Sequence, residues 1–264
     1  MTGLIIALAR EIPPGFVRTE SAYPQKSFSL PLYQFSTPSH PLVAVRTGVG
    51  RIRAAAGARL LIQQFSPHLL VSFGFAGGLS PDLAPGTLVI GDRVVLEDSP
   101  VPLYTADCGV VAQMLEAANA AGLPVRRGAV VAVNGLVPDG PSKAALARSS
   151  GASVVDMETA GIAEVAHGAG LAWVAVRAIV DTVDERLPVE CLTALHADGR
   201  VAVGRLVHSI WRSPGMVRDF LWLARRTATA RRHLSRVLQH WARDVTPRLS
   251  NPHPPQIPSP LGRG

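Results

Sequence analysis

Short apolar segments alternate with alanine-rich stretches through most of the chain. Apolar runs bounded by Gly, Pro or charged residues predict buried strands, and the alanine-rich stretches predict helices. The predicted strands are 3–8, 42–46, 69–73, 88–96, 128–133, 152–157 and 172–181, and the predicted helices are 51–65, 108–121 and 158–170. This order predicts an α/β fold, a single domain with a central, mostly parallel mixed sheet flanked by helices.

A different pattern begins near residue 212. Apolar positions recur at helical spacing over residues 216–243, and arginines occupy much of the rest, which predicts a basic amphipathic helix or a helical pair. Residues 245–264 are rich in Pro, Ser and Gly and are predicted to be disordered. The predicted division is therefore a catalytic domain over 1–211, a helical extension over 212–244 and a tail over 245–264.

The charge of the chain is unevenly distributed. The net charge is +7, but residues 212–264 carry ten arginines and two aspartates, whereas the remainder carries 16 basic and 17 acidic residues. A basic segment of this kind does not indicate that the main domain binds nucleic acid. Two distant cysteines, the lack of a signal peptide and the lack of a bilayer-spanning apolar run predict a cytoplasmic protein. The eight histidines are scattered, so no metal site is expected.

Three acidic residues follow predicted strands. Glu11 comes after the first strand, Glu158 after 152–157, and Asp181 ends the last strand. Ligands of open α/β sheets bind beyond the carboxyl ends of strands, and a buried carboxylate must be paired or hydrogen-bonded. We therefore predict that the three converge on one cavity. The structural alternative is that Asp181 caps a turn and that Glu158 is a first-turn helix carboxylate favoured by the helix dipole.

Four segments carry a resemblance to a known family. TGVGRIRAAAGARLLI, GFAGGL, VVDMETAGIAEVA and VRAIVDTVDE follow one another between residues 47 and 185. They resemble the nucleoside phosphorylase and nucleosidase superfamily, in particular the methylthioadenosine/S-adenosylhomocysteine nucleosidase type, and the resemblance covers roughly residues 3–185. The last two segments are the most specific, because glycine loops after strands are by themselves typical of tight turns.

The resemblance implies a role for each acidic residue. Asp181 matches the acid that protonates N7 of the purine, Glu158 the glutamate that holds the ribose hydroxyls, and Glu11 the carboxylate that orients the attacking water. It also implies a set of residues around the substrate, namely Met157, Gly77, Gly78, Leu136, Val137, Asp156 and Phe75. No cofactor is implied. If phosphate replaces water as co-substrate, the predicted phosphate-binding residues are Arg10, Arg46 and Gly48.

Three positions depart from the family pattern. Phe75 and Val180 stand where serines are usual, and Asn134 stands where an aspartate often supports the base. These differences are expected to change the hydrogen bonds that the protein makes to the base. The three carboxylates themselves are present. Hydrolysis and phosphorolysis both remain open at this point.

The C-terminal segment suggests a branch of the family. Residues 187–234 resemble the hopanoid-associated phosphorylases, which implies adenosylhopane as substrate, adenine as product and a peripheral contact of 216–243 with the inner membrane face. The resemblance also implies a homodimer. One alternative is a soluble substrate such as methylthioadenosine, cleaved by a nucleosidase or a purine nucleoside phosphorylase. Another is a non-catalytic purine-binding or membrane-scaffold protein.

Overall fold

The computed structural model describes residues 1–19, 23–25, 28–35, 41–97, 99–186 and 216–244. The strands are β1 (Thr2–Ile6), β2 (Val17–Arg18), β3 (Tyr23–Gln25), β4 (Phe28–Leu30), β5 (Leu32–Phe35), β6 (Leu42–Arg46), β7 (Leu69–Gly78), β8 (Leu88–Leu96), β9 (Ser99–Thr105), β10 (Val125–Ala132), β11 (Val154–Asp156) and β12 (Ala172–Asp181). The helices are α1 (Arg51–Phe65), α2 (Cys108–Ala120), α3 (Gly140–Ser150), α4 (Thr159–Gly168) and α5 (Met216–Asp244). The predicted tail over 245–264 lies outside the described residues.

One mixed sheet organises the domain. Its strand order is β11-β10-β8-β12-β7-β1-β6-β5-β2, with β9 paired to β8, and β3 and β4 form a separate hairpin. Parallel pairs join β6, β1, β7 and β12 in succession, so the carboxyl ends of these strands lie at one edge. Helices cover the sheet, and the α/β fold predicted from the sequence is confirmed.

The sheet also closes on itself at that edge. β11 pairs with β10 on one side and runs antiparallel to the end of β7 on the other, where Val155 lies opposite Gly77 and Val154 opposite Gly78. Because of this pairing, β7 continues as a strand through Gly78. The prediction that 74–79 is a loop after a strand ending at residue 73 is therefore wrong. Its glycines are strand residues that let neighbouring groups approach closely.

The C-terminal segment forms one continuous helix and not a helical pair. Its apolar stripe packs into the main core, against α2 and β12. The buried residues of this stripe are Leu223, Ala230, Leu234, Val237, Leu238, Trp241 and Ala242. The helix is thus integrated into the domain, and its arginines other than the half-buried Arg226 are exposed. In the described part of the chain, no helix combines the length and apolarity that crossing a bilayer requires.

Replacing Trp241 with Ala is expected to destabilise the protein strongly. The indole is fully buried at the end of α5, and truncating such a side chain costs about 3–5 kcal/mol because it leaves a cavity. The measurement is the free energy of unfolding in urea, followed by circular dichroism. Leu221→Ala is the control, because Leu221 is half-exposed on the same helix. Equal stability of the two variants would contradict the packing of α5 described here.

Candidate active site

Glu11 is fixed at the carboxyl end of β1 by backbone hydrogen bonds. The chain leaves β1 in a short 3₁₀ turn, Ala9–Glu11, which turns the carboxylate inward. Its Oε2 accepts from the N–H of Leu8 at 2.7 Å, and its Oε1 accepts from the N–H of Phe75 at 2.8 Å. Burial raises the pKa of Glu11, although these N–H groups and the nearby Arg177 oppose the rise. Glu11 is thus a buried, oriented carboxylate.

A glycine in β7 makes room for this carboxylate. A Cβ atom at Gly74 would lie 2.7 Å from Oε1 of Glu11 and 2.8 Å from a terminal nitrogen of Arg177. Real Cβ atoms do not approach other atoms so closely, and any larger residue would displace the charged groups. Gly74 therefore lets a carboxylate and a guanidinium meet beside the strand.

Arg177 anchors a buried polar cluster next to Glu11. The cluster consists of Ser72, Asp156, Thr159 and Arg177. Nη2 of Arg177 lies 2.5 Å from Oδ2 of Asp156, 2.5 Å from the hydroxyl of Ser72 and 2.9 Å from that of Thr159. The Thr159 hydroxyl also donates to Asp156. Since a buried charge must be compensated, this ion pair keeps a cation stably positioned among the carboxylates.

Glu158 points back toward the same place. β11 runs antiparallel to β7, so its continuation leads from Gly77 in the direction of Gly74. Oε1 of Glu158 accepts from the N–H of Gly50 at 2.8 Å. Gly50 has a φ of 109°, a backbone conformation that favours glycine and aims this N–H at the carboxylate.

Burial raises the pKa of Glu158 to about 7, and the nearby Asp156 and Glu11 add to the rise. Arg177 and the N–H of Gly50 act in the opposite direction. Glu158 and Glu11 are therefore close enough to influence each other, and they share the cation Arg177. The ionisation of one of these two carboxylates therefore affects the ionisation of the other.

Asp181 lies further along the same strand end, with a partner of its own. It pairs with Gly77 at the last position of β12, and a Cβ at Gly77 would lie 3.4 Å from Oδ2 of Asp181. Glu11 contacts β7 at Gly74 and Phe75, so both carboxylates lie against the last residues of the same strand. Burial raises the pKa of Asp181, whereas an ion pair with Lys143 lowers it.

The other residues predicted to surround the substrate lie near these groups to different degrees. Met157 and Val137 are half-buried and pack on a small apolar cluster that includes Val155 and Leu146. Phe75 is half-buried beside Glu11, Gly78 pairs with β11, and Leu136 is 46% exposed. A contact role for each of them stays a prediction.

The residues predicted to bind phosphate are less well placed around the carboxylates. Arg10 is exposed and Arg46 is half-buried. The N–H of Gly48 donates to the carbonyl of Ala7 at 3.0 Å and is therefore satisfied within the fold. The cations that do lie beside the carboxylates are Arg177, near Glu11 and Glu158, and Lys143, paired with Asp181. Among the described residues, no group of three or more His, Cys, Asp or Glu is arranged to hold a metal ion.

Sequence reasoning missed Arg177 and Lys143. Arg177 is hidden in the middle of an apolar strand, where an isolated charge between Val176 and Ala178 is itself a signal of a buried partner. Lys143 lies in α3, which was not predicted. The signal for α3 was present in the sequence, because Asp139 caps the helix by accepting from the N–H of Ser142 and a proline stands in its first turn.

A separate groove lies away from these carboxylates. It has a volume of 530 Å³ between α1 and α4, and its polar lining includes Arg59, Tyr104, Glu164 and His167. None of the three predicted catalytic residues lines it. The chemistry that the sequence predicts therefore belongs to the carboxyl ends of β1, β7, β11 and β12, and not to this groove.

Comparison with known proteins identifies the class. The family model described as "Phosphorylase superfamily" matches residues 8–210. The chain belongs to this superfamily, as the sequence motifs implied. It is accordingly an enzyme of the nucleosidase and phosphorylase class, which acts on N-glycosidic bonds.

Individual relatives are similar over most of the chain. The 5′-methylthioadenosine/S-adenosylhomocysteine nucleosidase of Shewanella baltica is 28% identical over 206 residues, which cover 71% of this chain and 86% of that protein. A nucleosidase of the same description from Halalkalibacterium halodurans is 30% identical over 155 residues, which cover 53% of this chain and 67% of the relative.

Solved structures share the fold at lower identity. The 5′-methylthioadenosine/S-adenosylhomocysteine nucleosidase of Neisseria meningitidis, in complex with methylthio-immucillin-A, has a TM-score of 0.68 at 18% identity and covers 92% of this chain and 99% of its own. The futalosine hydrolase of Helicobacter pylori has a TM-score of 0.66 at 17% identity and covers 90% of this chain and 97% of its own. These likenesses support the described architecture.

Proposed function

We propose that this protein cleaves the bond between a purine base and a ribose, with Asp181 as general acid, Glu158 on the sugar and Glu11 at the nucleophile. The observation that carries the proposal is the arrangement of these three buried carboxylates along the end of β7. Burial of one carboxylate has a cost, and burial of three at one edge is difficult to explain by packing.

The role of Asp181 follows from the charge that develops on the base. As the glycosidic bond breaks, negative charge accumulates on the purine, and a proton on N7 makes it a neutral leaving group. An acid for this step must hold its proton near neutral pH, and the raised pKa of Asp181 suits that task. Its carboxyl group lies beside Gly77, a residue that lacks a side chain.

Glu158 and Glu11 are suited to the sugar and the nucleophile. Positive charge develops on the ribose, and an ionised Glu158 that accepts hydrogen bonds from the sugar hydroxyls would stabilise it. Each oxygen of Glu11 accepts one backbone N–H, which leaves lone pairs that could orient a water. Two adjacent carboxylates would repel a phosphate anion, so we favour hydrolysis over phosphorolysis.

We extend the proposal to adenosylhopane as the substrate. Its support is the resemblance of residues 187–234 described above and the arginine-rich outer face of α5. Arg218, Arg225 and Arg232 are exposed at seven-residue intervals, which aligns them along one side of the helix. Since the apolar stripe is packed in the core, membrane contact would rest on attraction between these arginines and anionic headgroups.

A specific observation favours a second substrate. The similar relatives from Shewanella baltica and Halalkalibacterium halodurans are 5′-methylthioadenosine/S-adenosylhomocysteine nucleosidases. A soluble thioether nucleoside of that kind is therefore the alternative, and it would make no use of the basic face of α5.

The deciding experiment is adenine release by the full chain from adenosylhopane in anionic vesicles and from methylthioadenosine in solution. Each substrate is assayed with and without phosphate. We expect release from the lipid-linked substrate without phosphate. Release from neither substrate contradicts the proposed reaction, phosphate dependence contradicts hydrolysis, and release from methylthioadenosine alone selects the second substrate.

The triple variant R218Q/R225Q/R232Q tests the membrane contact in the same assay. Each arginine near an anionic surface contributes about 1 kcal/mol, so vesicle binding should weaken on the order of 100-fold. Cleavage of methylthioadenosine, if present, should stay unchanged and serves as the internal control. Deleting α5 would be a poor substitute, because it would also expose the core that Trp241 and Leu234 fill.

A further inference from the structure

Lys143 is an unusual residue for this chain. The sequence contains 24 arginines and two lysines, and Lys143 is fully buried with its side chain extending from α3. A buried ammonium group is retained only when its hydrogen bonds and charge are satisfied. Its environment therefore indicates what the residue does.

Three acceptors surround the ammonium group. Nζ of Lys143 donates to Oδ2 of Asp181, to the carbonyl of Thr182 at 2.7 Å and to the carbonyl of Glu185 at 2.9 Å. An ammonium group has three N–H donors, so all three are used inside the protein. Lys143 has no donor left for a substrate and must act through Asp181.

The loop that supplies these acceptors is itself tied down. The side chain of Glu185 accepts from the N–H of Thr182 at 2.8 Å, and its other oxygen lies 2.6 Å from Nη2 of Arg226 in α5. The turn after β12 is thereby closed around Lys143 and fastened to the C-terminal helix. In this arrangement the carbonyls of residues 182 and 185 are held in place for the ammonium group.

We propose that Lys143 is a positioning residue for Asp181, which fixes the orientation of its carboxyl group and sets how readily it gives up a proton to the leaving base. This proposal rests on the proposed function and adds a residue to it. A compact ammonium group suits the role, because it presents three donors from one point, whereas a guanidinium is planar and larger.

The charges around Asp181 determine how the removal of Lys143 should change its acidity. Among the described residues, the charged groups that face it are Lys143 from α3 and Glu185 from the following turn, and Glu185 is paired with Arg226 of α5. Burial raises the pKa of Asp181, Glu185 adds to the rise, and Lys143 opposes it. Without Lys143 the carboxyl group would bind its proton more tightly and would be a weaker acid.

The test is the pH profile of adenine release by Lys143→Met. We expect kcat to fall on the order of 10-fold, less than the full contribution of a general acid, with KM changed less than about 2-fold. The alkaline limb, on which activity is lost as Asp181 ionises, should move up by about one pH unit or more, the usual effect of removing an adjacent opposite charge. A purely structural role would lower activity without moving this limb.

The matched control is Arg148→Met. Arg148 is exposed on the same helix, so this variant removes a positive charge from α3 without touching Asp181. Its pH profile should match that of the wild type. An alkaline limb that is unmoved in Lys143→Met, or moved equally in both variants, overturns the proposal.

A second measurement separates this proposal from the proposed function. The carboxyl ¹³C resonance of Asp181, assigned with Asp181→Asn, is titrated in the wild type and in Lys143→Met, or in Lys143→Gln if the methionine variant does not fold. An upward shift of its pKa supports the role of Lys143 even if the wild type releases no adenine, which would defeat only the reaction. An unchanged titration overturns the role of Lys143.

Discussion

Asp181→Asn is expected to lower kcat for base release by about 10²–10⁴-fold, which is the contribution of a well-placed general acid. Asparagine keeps an oxygen that can accept from Lys143, so the side-chain geometry is preserved. It has no proton to transfer to N7 of the purine. The loss should therefore appear in kcat, with a small change in KM, and it is measured by adenine release under saturating substrate.

Asp184→Asn is the matched control for this variant. Asp184 is exposed three residues further along the chain and should leave kcat unchanged. Thermal unfolding of both variants separates a catalytic loss from a folding defect, because Asn at position 181 leaves a buried ammonium group without its counter-charge. Full activity of a folded Asp181→Asn protein would remove the general acid from the proposed reaction.

The elements that the sequence predicted well are those whose apolar pattern lies within the element itself. β6, β8, β12 and α1 begin and end where apolar runs and glycine punctuation predict. The apolar run of β12 is buried on both faces, and such a run needs no knowledge of its neighbours to be recognised. The family resemblance then supplied the order and roles of the acidic residues, which periodicity alone could not.

The predictions that failed depend on contacts between distant segments. The glycine-rich segment 74–78 is a strand because β11 and β12 both pair with it, and a single segment gives no sign of such partners. The packing of α5 is another case, because its sequence predicts an apolar stripe and the fold shows that the core of the domain covers it. An amphipathic pattern predicts that one face is buried and does not identify what buries it.

The candidate active site depends both on local sequence patterns and on contacts between distant segments. Glu11, Glu158 and Asp181 were recognisable as strand-end carboxylates, but the cations that make their burial tolerable were not. Arg177 compensates the first two from within β12, and Lys143 compensates the third from α3. Because each cation sits on a different element from its partner, only the packed fold brings the charges together.

Glu158→Gln is expected to reduce kcat/KM by about 10²–10³-fold, as the loss of one electrostatic contact to the transition state does in other enzymes. Glutamine still accepts from the N–H of Gly50, but it cannot offset the positive charge on the ribose. The wild type needs Glu158 ionised, so its kcat/KM should rise with pH through about 7, the pKa of this group, and the variant should lack that acid limb.

The same substitution predicts a change in stability with a definite sign. Folding raises the pKa of Glu158 from its ordinary value of 4.5 to about 7, so the folded state binds the proton more tightly than the unfolded state. The wild type therefore loses stability as pH rises between these values, and Glu158→Gln should lose less of it. Urea unfolding at pH 4.5 and pH 8 measures the difference.

Glu164→Gln, a half-exposed change on α4, is the control and should follow the wild type both in the pH dependence of kcat/KM and in urea unfolding. A wild-type acid limb retained in Glu158→Gln would assign that titration to another group, and Glu11, buried beside the same arginine, would then be the carboxylate to test.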